Sequence, residues 1–334
     1  MSLVVRQPGI QTTVQDLGRP AWQHIGVPVG GAMDTQAHTI ANLLVGNEPN
    51  ATALDCAFGA LALQFEAPAL VALAGRDITA SLDGRPIPAW HAFRALPGTL
   101  LVLHSGCRTT IAVAGGFDVP EVLDSRGTSL RSAFGGWQGR ALRKEDRLPI
   151  GAPRPLGQRI AAHLDTRHRI VADWSASPSV RPAYVAHPVV RFIPGPELAL
   201  LTDTSREALF RDSFGIAHES DRMGYRLTGS PLALTAHREM LSSGVTAGTI
   251  QLPPGGAPIV LMADRQTTGG YPRLGEVIAV DLPLVAQLRP GDTVRFVAVS
   301  LELAHTLYRE RARHLTGATR AMHLRFAPGA DGSR

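Results

Sequence analysis

The sequence predicts a mainly β protein with a few helices, arranged as two domains related by a degenerate repeat. Three observations point there. Most apolar residues fall in short runs bounded by turn formers, and the 334 residues include 34 Gly and 25 Pro, a composition suited to many tight connections. Helical periodicity is confined to a few stretches. Finally, Pro97-Gly98-Thr99-Leu100 resembles Ala247-Gly248-Thr249-Ile250, and each is followed by a Gly turn (Ser105-Gly106; Gly255-Gly256), an apolar strand, and Gly115-Gly116-Phe117 or Gly269-Gly270-Tyr271. The expected layout is a β domain with an inserted helix over 1–155, a linker or crossing segment over 156–187, a second β domain over 188–315 and a loose tail over 316–334.

In chain order, Gln15 to Pro20 and Gly26 to Asp34 are dense in turn formers. Asp34 is a plausible N-cap for a helix to about Val45, because Ala37, Ile40, Ala41 and Leu44 share one face, with Asn42 off that stripe. Leu61, Leu63 and Phe65 alternate with Ala62 and Gln64 as in a strand. Leu82-Asp83-Gly84-Arg85 reads as a hairpin, since Asp-Gly tolerates positive φ. Strands are expected at Leu100 to Leu103, Thr110 to Ala114, Val189 to Ile193, Pro258 to Met262, Val277 to Val280 and Thr293 to Val299. Short helices are expected from Thr204 to about Asp212, from Asp281 to Leu288 and from Leu301 to about Arg313.

Composition narrows the function classes. With 44% hydrophobic and 18% charged residues the chain reads as an ordinary globular protein. No run approaches the roughly 18 apolar residues of a membrane span, and Met1 to Gly9 has no signal-peptide pattern. A cytoplasmic location with no membrane partner is the expectation. Cys56 and Cys107 are too few for a disulfide framework or a zinc site. The net charge of +5 raises nucleic-acid binding, but the basic residues interleave with acids and aromatics are only 5%; no nucleic-acid partner is expected. Phosphate-loop, dinucleotide-fold, zinc-protease and nucleophile-elbow motifs are missing, and the scattered histidines predict no metal site.

Asp264-Arg265-Gln266-Thr267-Thr268-Gly269-Gly270-Tyr271-Pro272 looks least like scaffold. A turn between buried strands needs only Gly, Asn or Asp, yet this one carries a carboxylate, a guanidinium, an amide, two hydroxyls and a phenol, with a Gly pair that admits close approach to the backbone. Gly106 to Gly115 spans 9 positions and Gly256 to Gly269 spans 13, so the second copy has four extra residues, the length of Asp264 to Thr267. Residues the first copy lacks are not needed for strand pairing.

Several motifs in order resemble the biotin-dependent carboxyltransferase family of the allophanate hydrolase subunit 2 type. They are Val14 to Arg19, Gly26-Val27-Pro28 with Gly31 to Asp34, Ala41 to Asn47, Gly115 to Pro120, Ser220 to Leu227 and Asp264 to Pro272. The resemblance runs to about Phe296. It departs at Ala21-Trp22, at Asp124 to Gly127 and at Glu145-Asp146, where the family tends to Gly-Tyr, Gly-Ser-Arg-Ser and Gly-Asp. It implies a pair of cyclophilin-like β-barrel domains. Stand-alone bacterial members are identified as the C subunit of 5-oxoprolinase, which with subunits A and B opens 5-oxo-L-proline to L-glutamate using ATP. Related members transfer a carboxyl group to urea from biotin, which here would arrive on another chain; others are described as antagonists of a kinase inhibitor.

These substrates present a planar amide. The resemblance therefore makes Asp264, Arg265 and Gln266 the catalytic candidates: a proton acceptor or hydrogen-bond partner at the amide nitrogen, a carboxylate or phosphate fork, and an amide reader. Gly269 and Gly270 would aim N–H groups at a developing oxyanion, and Thr267, Thr268 and Tyr271 would orient the ligand. Arg19, Asp34, Asn42, Arg222 and Tyr225 are further candidates, each as readily a residue that pins a turn.

Overall fold

The computed structural model describes residues 1–236 and 240–327. The described residues divide into two compact units, the first of residues 1–18, 34–182 and 312–327, the second of residues 19–33, 183–236 and 240–311.

The first unit contains β1 (Ser2–Pro8), β2 (Gln11–Gln15), α1 (Thr35–Leu44), β3 (Ala53–Ala57), β4 (Leu61–Phe65), β5 (Ala69–Gly75), β6 (Thr79–Leu82), β7 (Arg85–Ile87), β8 (Ala92–Ala95), β9 (Leu100–Ser105), β10 (Arg108–Val113), β11 (Arg147–Pro149) and α2 (Pro155–Thr166). The strands form two sheets, of order β11-β1-β4-β9-β6-β7 and β2-β3-β10-β5-β8. Leu3, Leu63, Phe65 and Leu101 of one sheet share a single core with Leu54, Val71, Phe93 and Ile111 of the other. Because side chains alternate across a strand, Ala72, Ala74 and Ala112 face away from that core, and α1 packs against β5 and β10 there. With both faces covered, these strands read as continuous apolar runs rather than alternating ones. The same burial takes in the polar face of α1: Gln36, His38 and Asn42 are buried together with the apolar stripe. Asp34 caps the helix, its Oδ1 accepting from Ala37 N at 2.9 Å. The Asp83-Gly84 hairpin joins β6 to β7 with both residues at positive φ.

The second unit contains β12 (Val189–Pro194), α3 (Asp203–Arg211), β13 (Phe214–Ile216), β14 (Gly224–Thr228), β15 (Ser243–Gly244), β16 (Thr249–Gln251), β17 (Ile259–Leu261), β18 (Thr268–Gly269), β19 (Arg273–Val277), α4 (Leu282–Ala286) and β20 (Thr293–Ala298). Seven strands close a barrel in the order β12-β19-β16-β17-β14-β13-β20, the parallel β12–β20 pair completing the ring. Phe192, Phe214, Ile250, Leu274 and Phe296 fill it. Gly275 lies where a Cβ would meet Ile193 O and the Phe192 ring at 2.4 Å, so β19 can pass β12 only without a side chain there. A long helix, α5 (Leu301–Arg325), then leads back to the first unit.

Mainly β architecture with few helices is present; among the described residues the strands of the second unit close a barrel, and those of the first form two sheets. The aligned repeat fails at the level of pairing, because β9 and β10 lie in different sheets whereas β16 and β17 are neighbours. Turn glycines set where a strand ends, not which sheet the next one joins. Three segments differ from expectation. The strand expected over 277–280 lies earlier, at β19. Residues 156–166 of the expected linker lie in α2, and α5 runs on through 316–325 of the expected tail. Its face Ala304, Leu307, Arg311, Leu315, Ala318 and Met322 is more buried than the rest, a 3-4-4 spacing that lets one stripe stay covered over 25 residues.

Candidate functional site

Three motifs remote in sequence meet at the base of the 264–272 loop, all within the second unit. Met262 N donates to Met223 O at 2.9 Å and Asp264 N to Arg222 O at 2.8 Å, extending the β14–β17 pairing past the end of β17. Arg222 then grips the loop with a fork: Nε donates to Asp264 Oδ2 at 2.8 Å and Nη2 to Oδ1 at 2.9 Å. The same Nη2 donates to Gly31 O at 2.6 Å, and Gly30 N donates to Ala263 O at 3.1 Å. Arg222 is buried and Asp264 nearly so, so the fork fixes the loop where charge-assisted hydrogen bonds are strong. Both Asp264 oxygens are thereby engaged.

Beyond this clamp the chain turns inward. Arg265 is buried, and its Nε and Nη1 donate to Val245 O and Met262 O, each at 3.4 Å, at the weak end of hydrogen-bond geometry. Burial pulls the affinity of its guanidinium for a proton down, opposed by the nearby Glu276 carboxylate. Glu276 is half-buried and accepts from Thr246 Oγ1 at 2.7 Å and Thr249 Oγ1 at 2.8 Å. Burial raises its pKa above the usual range, more than the two hydroxyls, Arg273 and Arg265 lower it. These groups lie on the outer face of the barrel, since Ile250 points into the core while Thr249 and Gln251 point away, yet both are buried. What covers Gln251 is the minimal ribbon of β15 and β18, paired Ser243 to Gly269 and Gly244 to Thr268. The ribbon sits so low that a Cβ on Gly269 would fall 2.4 Å from Gln251 Nε2.

Gln266 Nε2 approaches Gln251 Oε1 at 3.5 Å, while Gln251 Nε2 has no hydrogen-bond partner among the described residues. Both glutamines line a cleft of about 200 Å³ bordered by Glu219, Asp221, Arg226 and Tyr271. On its other side Tyr271, with Gly270 and Pro272, walls a second, more apolar groove of about 690 Å³ with Leu232, Leu252 and Pro253. The half-exposed Tyr271 ring divides the two.

The sequence candidates thus separate into groups. Gln266 and Tyr271 face the cleft, and Gly270 the apolar groove. Asp264 and Arg222 form the clamp, Arg265 lies beneath the loop, and Thr267 O receives Val245 N. Thr268 and Gly269 belong to the ribbon. Tyr225 is a core residue whose hydroxyl donates to Ala286 O at 3.2 Å. Arg19, fully buried, lies close enough to Gly30 that its Nη1 would be 3.5 Å from a Cβ there. Asp34 and Asn42 belong to the first unit. Asn42 donates to Ala51 O at 2.9 Å and accepts from Asn47 Nδ2 at 2.9 Å, pinning the end of α1. Gln251, Thr249 and Glu276 were not singled out in the sequence; alternation about Ile250 places Thr249 and Gln251 outward, a register shift between Ile250 and Gln251 sets Glu276 opposite Thr249, and nothing local reveals that a distant ribbon covers Gln251.

Asp124 to Gly127 also finds a place. Ser125 Oγ and Arg126 N donate to the buried Asp16 at 2.7 Å each. A Cβ on Gly127 would lie 2.9 Å from Asp16 Oδ1 and Gln15 Oε1, so the turn as built has no room for a hydroxymethyl group. Among the described residues, no group of three or more His, Cys, Asp or Glu side chains could hold a metal ion, and no helix is long and apolar enough to cross a membrane.

The family model for the carboxyltransferase domain, subdomain A and B, matches residues 25–298, and the chain belongs to that family. More particularly, it is a homologue of the C subunit of 5-oxoprolinase. It is 38% identical to that of Escherichia coli over 327 residues, covering 96% of this chain and 99% of the relative, and 35% identical to that of Haemophilus influenzae, covering 91% and 94%. The crystal structure of the K. lactis urea amidolyase superposes with a TM-score of 0.85 at 25% identity, covering 95% of this chain and 20% of the larger enzyme.

Proposed function

We propose that the chain works as the C subunit of an ATP-dependent 5-oxoprolinase, inactive alone and joined by subunits A and B in the cytoplasm to open 5-oxo-L-proline to L-glutamate. The observation that carries this is the 38% identity across nearly the whole of both chains. Its two units would correspond to the family's paired cyclophilin-like domains.

The loop supports a division of labour. Gln266, at the edge of the small cleft, supplies a donor and an acceptor for the amide. Tyr271 confines the ligand, with Thr267 and Thr268 shaping the approach. Gly270, exposed beside the groove, would leave its backbone open to a developing oxyanion, while Gly269 is tied into the ribbon. Arg265 contributes positive potential from beneath, where low dielectric strengthens it. Asp264, held by Arg222, positions the loop, and what it would offer the amide N–H is an oxygen lone pair that the fork leaves free. ATP is the co-substrate of the complex. The cleft presents Glu219 and Asp221 beside Arg226, a mixed set ill suited to a triphosphate, and we assign ATP to one of the other two subunits. The test is to co-purify the chain with subunits A and B and assay ATP-dependent glutamate formation. Loss of product on omitting this chain is expected; undiminished product without it refutes the assignment.

A second reading, a carboxyltransferase acting on urea or another amide, is favoured by the likeness to the urea amidolyase fold. The planar ureido group of biotin, brought on another chain, suits the same carboxamides. Carboxylation of urea in the presence of a carboxybiotin carrier would select it over the lactamase.

A further inference from the structure

We propose that Gln251 reads the ligand: its carboxamide, side by side with that of Gln266, forms the polar end of the cleft and donates through Nε2 to an acceptor oxygen of a bound amide. The inference rests on the amide-handling role proposed above and adds a residue and a ligand geometry to it.

Gln251 is 1% exposed on the outer face of β16. Buried polar atoms are overwhelmingly hydrogen-bonded, and the exceptions call for a reason. Here Nε2 has no partner among the described residues and Oε1 receives only the 3.5 Å approach of Gln266. A side chain serving the fold alone would do better as an apolar one of the same shape. The cover over it is also slight. Ser243, Gly244, Thr268 and Gly269 make two residue pairs, and the position directly over Nε2 is a glycine with no room for a methyl group. A shift of that ribbon opens Nε2 to the cleft that Gln251 and Gln266 already border.

The two carboxamides together offer a donor and an acceptor along one edge. Their complement is an amide whose N–H and C=O lie on the same side. A small lactam ring enforces that arrangement; an ordinary trans peptide places the two groups on opposite sides. The geometry therefore selects cyclic amides over linear peptides of similar size.

Two isosteric variants test this in the assembled complex of the chain with subunits A and B. Gln251→Met removes the donor and keeps the shape; Gln251→Glu replaces the donor by an acceptor. Three readouts are taken: KM and kcat for 5-oxoproline, Tm, and ligand-observed NMR binding of 2-pyrrolidinone without ATP. Loss of a buried hydrogen bond to the ligand should weaken binding about ten- to a hundredfold. We expect KM to rise by that factor in both variants, kcat to change less, Tm to hold or rise in Gln251→Met, and the pyrrolidinone signal to fade. Unchanged KM and unchanged pyrrolidinone binding in Gln251→Met overturn the inference, as does a failure of the wild-type complex to bind 2-pyrrolidinone. If the wild-type complex makes no glutamate but binds 2-pyrrolidinone in a Gln251-dependent way, the 5-oxoprolinase assignment fails and the role of Gln251 stands.

Discussion

Removing the guanidinium of Arg222 should cost the second unit more than any contact on its surface. The side chain is buried, makes two bonds of 2.8 and 2.9 Å to Asp264 and a third of 2.6 Å to Gly31 O. Truncation strands a carboxylate that keeps only 15% exposure. Breaking a buried ion pair from one side typically costs about 3–5 kcal/mol, because the orphaned charge stays desolvated. At about 2–4 °C per kcal/mol for a domain of this size, Arg222→Ala should lower Tm by roughly 6–20 °C. Arg222→Lys keeps a charge but loses the fork and should fall between. The decisive assay is a double-mutant cycle in calorimetry and urea denaturation with Arg222→Ala, Asp264→Ala and both together. Removing the partner as well eliminates the stranded charge, so the double variant should recover a coupling of about 2–3 kcal/mol. A coupling below about 0.5 kcal/mol, the level of exposed pairs, would refute the view that this fork fixes the loop.

Other outcomes follow from the same physics. In the first unit, Asp55→Ala should cost about 3–5 kcal/mol because Asp55 and Arg108 meet at 2.7 Å nearly shielded from water. Glu145→Ala, which removes the exposed partner of Arg6, should stay within about 0.5 kcal/mol; urea titrations compare them. His38 is fully buried and desolvation lowers its pKa to about 4. It folds neutral, and its contribution is complete above the unfolded value of about 6.5 and lost as pH falls toward 4. His38→Gln should therefore show a shallower stability loss across that window, by about 3 kcal/mol, in denaturation at stepped pH. Glu276 shifts the other way: raised chiefly by burial, with Arg265 and Arg273 opposing, it favours the fold while protonated and loses that advantage as pH rises through its folded pKa. Gln in its place should gain Tm relative to wild type from acidic toward neutral pH; a constant difference would contradict the shift. Gly275→Ala, blocked by Ile193 O and the Phe192 ring at 2.4 Å, should disrupt the barrel far more than Gly269→Ala, where the 2.4 Å neighbour is the end of a glutamine under a short ribbon; thermal melts rank the two.

Local chemistry made much of the chain legible. The Asp34 cap and the apolar stripe behind it located α1, Asp-Gly located the β6–β7 turn, and the density of polar groups from Asp264 to Tyr271 marked a loop that does border a cleft. Long-range facts were not legible. Asn42 read as off the stripe, yet is buried, because the turn after the helix folds back on it through Asn47 and Ala51. Arg265 read as a carboxylate or phosphate fork, and its side chain lies buried under its own loop; Asp264 read as a partner of the amide nitrogen, and Arg222 grips both its oxygens.

What the sequence determined by itself is therefore what acts over a few residues: period, caps, turn glycines, the ordered motifs that carry the family, and which loop to inspect. Only the tertiary structure decided that one unit closes into a barrel while the other splits into two sheets, and that Gln251 lies buried with its Nε2 unpartnered among the described residues. Strand closure and burial depend on partners far apart in the chain; Arg222 and Gly31 are separated by 191 positions. No local pattern encodes which distant surface will exclude water from a given side chain.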